Sequence, residues 1–143
     1  MFFLNIRVIL VSIIFLIALN MAGCFDSFKP EKKYVGISYT QAIEDTKPII
    51  LVFIVNWCTY CQRLLPKLEI INKSYSDKYN IVVIDCENRK YYKMKQQFSI
   101  KGYPTMYIVD PVKKTKTQFN VGHTNDMSYF SKALDNYLLY TRK

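Results

Sequence analysis

Ile49 to Val55 is an unbroken apolar run, and Trp57-Cys58-Thr59-Tyr60-Cys61 follows it after a single Asn56. A run this short, placed behind Pro48, predicts a strand buried on both faces. Beyond the cysteines, Leu64, Leu65, Leu68 and Ile71 fall on one side at helical spacing, leaving Arg63, Lys67 and Lys73 for solvent. The cysteines therefore stand where a buried strand gives way to an amphipathic helix. Two intervening residues let a small disulfide ring form and reopen. At a helix N-terminus the first thiol meets unsatisfied N–H groups and the positive end of the dipole, both of which favour thiolate. Cys58 is thus expected to attack, with a lowered pKa, and Cys61, a turn further in, to resolve the mixed disulfide.

The flanking sequence predicts an α/β sheet covered by helices on both faces. Ser38-Tyr39-Thr40-Gln41 matches a capping box, opening a short helix to about Thr46 that Pro48 stops. Ile81 to Ile84 reads as a second buried strand, and Tyr91, Met94 and Phe98 mark a helical stripe. Thr105 to Val109 is a third strand, Asp110-Pro111 a turn, and Thr115 to Val121 an edge strand. Met127, Phe130, Leu134 and Leu138 define a last amphipathic helix. At 143 residues, half of them hydrophobic, the chain suits one domain with a packed core. The net charge of +9 is scattered rather than dense and accompanies no nucleic-acid motif, so nucleic acid is not expected as a partner.

Val52 to Pro66 resembles the thioredoxin active-site segment, with Trp57 before the first Cys and Pro66 five residues after the second. Gly102-Tyr103-Pro104-Thr105 is similar to that family's cis-proline loop. The resemblance covers Val35 to Tyr140 and implies a thioredoxin fold, a central mixed β-sheet flanked by helices. It implies a thiol–disulfide oxidoreductase with Cys58 and Cys61 as the redox disulfide and Pro66 bending the active-site helix. Trp57, Tyr103 and Pro104 would line the substrate groove, with the Tyr103 backbone pairing with an incoming chain. No cofactor or metal is implied. Val52 departs from the pattern, because thioredoxins usually carry a buried acid there to take the proton of the second Cys. The lysine that often partners that acid has no counterpart among Ile81 to Ile84, so Cys61 must lose its proton to water or another group.

Residues 1–23 read as a signal peptide, with Arg7 as the single charge and Val8 to Leu19 apolar. Met21-Ala22-Gly23-Cys24 resembles the lipobox of bacterial lipoproteins, with Met21 where Leu is usual, and makes Cys24 the lipidation site. An uncleaved anchor and ordinary secretion are the alternatives, and all three put the domain outside the cytoplasm. Residues 24–33 then form a tether of about 30 Å at ~3.3–3.6 Å per residue, and 34–143 the domain. Expected partners are protein thiols and disulfides, the membrane through the lipid, and a membrane-embedded electron donor. With no His between the thiols, reductase leads, and oxidase or isomerase follows. A non-catalytic binding module is a third reading. Substrates implied by the family include exported proteins with wrong disulfides and apocytochromes awaiting haem. Cys86 reads as an interior residue or a regulatory thiol, and His123 as a capping or exposed side chain. A zinc site of Cys58, Cys61, Cys86 and His123 is the remaining alternative.

Overall fold

The computed structural model describes Ile9, Val11, Ile13 and residues 32–141. The expected signal peptide, apart from those three residues, the expected lipobox with Cys24 and most of the expected tether lie outside the described residues. Among the described residues no helix is long and apolar enough to cross a membrane. Contacts divide the chain into two units, Met1–Lys33 and Tyr34–Lys143.

In the second unit the elements run α1 (Tyr39–Glu44), β1 (Ile49–Ile54), α2 (Thr59–Tyr75), β2 (Asn80–Asp85), a 3-10 turn (Arg89–Tyr91) and α3 (Tyr92–Gln97). There follow β3 (Thr105–Asp110), β4 (Thr115–Phe119), a second 3-10 turn (Val121–Asn125) and α4 (Met127–Thr141). The strands form one mixed sheet in the order β2-β1-β3-β4. β1 pairs parallel with β2 and antiparallel with β3, and β4 closes the edge antiparallel to β3. This is the thioredoxin fold that the motifs implied.

Every residue of β1 is buried because the strand has neighbours on both sides and a helical layer on each face. Ile50, Val52 and Ile54 pack with Leu64, Leu68 and Ile71 of α2 and Phe130 and Leu134 of α4. Ile49, Leu51 and Phe53 point the other way, to Ala42 of α1 and Phe98 beyond α3. The continuous apolar run is thus two alternating faces, each with its own core. β4 is the contrast, an edge strand whose residues are exposed except for half-buried Phe119.

The ends of the elements follow from side chains. Ser38 and Gln41 close the capping box on α1, with Gln41 N donating to Ser38 Oγ and Ser38 N to Gln41 Oε1. The helix stops at Glu44, two residues before the expected Thr46, because Asp45 Oδ1 takes the N–H groups of Thr46 and Lys47. The Tyr91–Phe98 stripe is split, since Asn88 accepts from Lys90 N and starts the segment as a 3-10 turn. Gly36 has φ +94°, and a Cβ there would lie 2.0 Å from Ile81 O. That close approach lets Ile37 N donate to Ile81 O and cover the free edge of β2.

Phe53 anchors the second core, 5.2 Å from the Phe98 ring and 6.3 Å from that of Tyr107. Phe53→Ala should cost about 3–5 kcal/mol, read as a shifted urea midpoint. A loss under about 1 kcal/mol would mean that the α1–α3 face is loosely packed.

Candidate functional site

The site begins where β1 runs out. Cys58 N donates to Val55 O at 3.3 Å, turning the chain from strand toward helix. Cys58 is itself the N-cap of α2: its backbone is extended and its sulfur accepts the Cys61 N–H at 3.3 Å. A side chain that accepts from an early helical N–H satisfies one of the orphan donors of the first turn. The same thiol reaches across to β3, donating toward Tyr103 O at 3.6 Å. That carbonyl sits in the loop before β3, where the Tyr103–Pro104 peptide is cis. Cys58, Cys61, Tyr103 and Pro104 are thereby brought together, and Trp57 stands edge-on to Tyr103 with centroids 6.5 Å apart.

Both thiols are buried, Cys61 the more completely. Cys58 is 7% exposed at the rim, beside a Trp57 that is 73% exposed, whereas Cys61 is 1% exposed. Burial, and then the hydrogen bond with Cys58, push the Cys61 thiol up to about 12. Val52 lies in the same core cluster as Cys61 and provides no proton acceptor. Both thiols are free. Pro66 sits inside α2, where it lacks a backbone donor.

A polar clamp on Asn56 holds the approach to the thiols. Its backbone N–H donates to Glu87 Oε2 at 2.6 Å, and its side-chain amide to Asp85 Oδ2 at 2.8 Å. Its carbonyl accepts from Gln62 Nε2 at 2.9 Å. The Tyr34 hydroxyl lies within hydrogen-bond reach of Asn56 Oδ1 at 2.9 Å and Asp85 Oδ2 at 3.1 Å. Three separate parts of the chain thus fix the residue two before Cys58. Apart from Gln62, six residues on, these partners carry no sequence signal, because their contacts join residues 22 to 51 positions apart.

A second feature missed in the sequence is an open cleft of about 360 Å³ beyond Pro104, lined by Thr105, Gln118, Phe119, Asn120 and Val121. It arises because β4 ends at Phe119 and the 3-10 turn begins at once, capped by Asn120 Oδ1 on Gly122 N. Lys67, expected in solvent, instead donates to Thr124 O and Asn125 O and ties this turn to α2.

Cys86 is half-buried between the two cores. Burial raises its pKa, opposed by a hydrogen bond with Tyr103 and by the Lys95 charge. His123 caps nothing; its ring packs edge-on to Phe119 at 5.7 Å and against Tyr129 at 5.4 Å. The zinc alternative finds no support, since no group of three or more His, Cys, Asp or Glu converges among the described residues.

The family model described as Thioredoxin matches residues 31–134. The chain belongs to the thioredoxin family. It is 29% identical over 75 residues to the thioredoxin-like protein HCF164, chloroplastic, of Arabidopsis thaliana, covering 52% of this chain and 29% of that one. It is 28% identical over 109 residues to human protein disulfide-isomerase A2, covering 76% of this chain and 20% of the relative. A thiol:disulfide interchange protein TxlA of Synechococcus elongatus is 29% identical over 66 residues, 46% of this chain and 35% of that one. The chain thus spans about a fifth to a third of the length of these relatives. In fold it is similar to the germline-specific thioredoxin Deadhead of Drosophila melanogaster, with a TM-score of 0.56 at 20% identity over 68% of this chain and 90% of the other.

The clamp predicts an alkaline signature. Burial, and then the Asp85 charge, push Tyr34 up to about 12. The fold therefore prefers the neutral phenol, so its contribution is complete below pH ~10 and is lost as pH rises toward ~12. Tyr34→Phe should lose about 0.5–1.5 kcal/mol at neutral pH. Between pH 9.5 and 11.5 it should then lose less further stability than the unsubstituted chain. Parallel urea midpoints across that range would contradict the Tyr34–Asp85 contact.

Proposed function

We propose that this chain is a thiol–disulfide oxidoreductase that reduces disulfides of exported proteins from an anchored position outside the cytoplasm. The observation that carries the reading is the paired setting of the sulfurs. Cys58 is at the rim, capping α2 and facing the Tyr103 carbonyl, and Cys61 is buried directly behind it.

The Cys58 thiolate attacks one sulfur of a substrate disulfide, forming a Cys58–substrate bond and releasing the other sulfur as a thiolate. Cys61 then attacks Cys58 Sγ, forming the Cys58–Cys61 disulfide and expelling the second substrate thiolate. That leaving group accepts the proton lost by Cys61, directly or through water. Two electrons pass to the substrate, and an external dithiol returns them. A membrane-embedded donor suits a domain held close to the bilayer by lipid on Cys24. Trp57, Tyr103 and Pro104 line the substrate side of Cys58, with the Tyr103 backbone available to an extended chain. The absence of a His between the thiols favours the reducing direction, Thr59 and Tyr60 standing there instead. One observation favours isomerase as the second reading. A Cys61 thiol kept protonated by burial resolves slowly, giving a substrate thiol time to displace Cys58 instead.

In an insulin-reduction assay the purified chain should be active and Cys58→Ser inactive, while Cys61→Ser should accumulate a covalent complex with substrate through Cys58. Wild-type rates in both variants would remove the reading. Release from a preformed Cys58 mixed disulfide should speed as pH rises from 7 to 9, because burial holds Cys61 largely as a thiol in that range. A flat profile would mean that a neighbouring base takes the Cys61 proton.

A further inference from the structure

The rim of the site carries an inference about substrate that rests on the reading above. Trp57 and Tyr60 are 73% and 70% exposed. Large aromatic side chains grouped around a reactive sulfur are surface for a partner to cover. On Tyr60 and Tyr103 a cation lies over the ring. The Arg63 guanidinium is 5.9 Å from the Tyr60 centroid, and the Lys95 ammonium is 5.7 Å from that of Tyr103. Tyr103 in turn meets Trp57 edge to face.

Neither Arg63 nor Lys95 forms an ion pair among the described residues, unlike Lys47 with Asp45 and Lys78 with Asp135. Lys95 stays charged, its pKa raised first by a hydrogen bond with Tyr103. The acids nearest in sequence to Cys86 are already engaged. Asp85 accepts from Asn56 and from the backbone of Glu87, and Glu87 accepts from the Asn56 backbone. A cation resting on a ring face keeps outward N–H donors, and a guanidinium fork matches a carboxylate.

We propose that the preferred substrates are polypeptides whose disulfide cysteine is flanked by apolar and acidic side chains. The apolar groups cover Trp57 and Tyr60, and the carboxylates reach Arg63 and Lys95. Like-charged, lysine-flanked disulfides are disfavoured by the same two cations.

The test uses the full-length chain and three matched peptide disulfides whose cysteine is flanked by Glu, Gln or Lys. The order of kcat/KM should be Glu, then Gln, then Lys, with steps of roughly 2–5-fold per charge, as for solvent-exposed ion pairs. The steps should shrink at ~1 M salt, where screening acts within about 3 Å. In the double variant Arg63→Gln/Lys95→Gln the Glu-to-Lys ratio should fall toward one. The charge-matched Lys73→Gln/Lys132→Gln variant, altered on exposed positions of α2 and α4, should keep it. A wild-type ratio near one overturns the inference, and so does an equal fall in both double variants, which would assign the preference to the net charge of +9. Failure to reduce any of the three peptides would overturn the reductase reading, and the inference with it.

Discussion

The burial of β1 between two helical layers is the constraint on which everything else here depends. A strand with ordered neighbours on both sides and apolar contacts on both faces has one register, because a slip of one residue would exchange its two cores. That fixes where the strand ends, and the Cys58 N–H bond to Val55 O turns the chain within three residues of the end. β3, paired antiparallel to β1, begins at Thr105 opposite Phe53. The loop carrying Tyr103 therefore arrives at the same end of the sheet as Cys58.

The site gains its chemistry from asymmetry. One sulfur serves as a helix cap at the rim, exchanging hydrogen bonds with α2 and the β3 loop. Its partner lies deeper in the same core, with Ile54, Leu64 and Leu68. Burial holds Cys61 as a thiol, which in the proposed reaction leaves the first attack to Cys58. Val52 in place of an acid keeps that core apolar, at the expense of an internal base.

What could be read from the chain is what local pattern encodes. The Ile49–Val55 run, the Ser38–Gln41 box and the heptad-like spacing in α2 and α4 each signal themselves within a few residues. The thioredoxin fold follows from their order, and the thiol pair from its place between strand and helix. The Asn56 clamp, the Lys67 tie to Thr124 and the cleft behind Pro104 were not legible. The clamp and the tie join polar groups far apart in sequence, the cleft is set by where β4 ends, and no periodicity marks any of them. Lys67 was read as solvated for the same reason: its place on the polar side of α2 gives no hint that the 3-10 turn after β4 lies over it. His123 likewise packs on Phe119, a ring from the edge strand.

The central claim is that Cys58 and Cys61 form a single two-electron couple, distinct from Cys86. The most direct test is a redox titration of the purified chain in glutathione buffers, with thiol labelling and peptide mapping at each potential. The account predicts that Cys58 and Cys61 lose label together in one transition, while Cys86 stays labelled. The reducing direction predicts a midpoint nearer about −270 mV than −120 mV, the range spanned by reducing and oxidising couples of this kind. Cysteines 58 and 61 titrating apart, or either pairing with Cys86, would contradict the account.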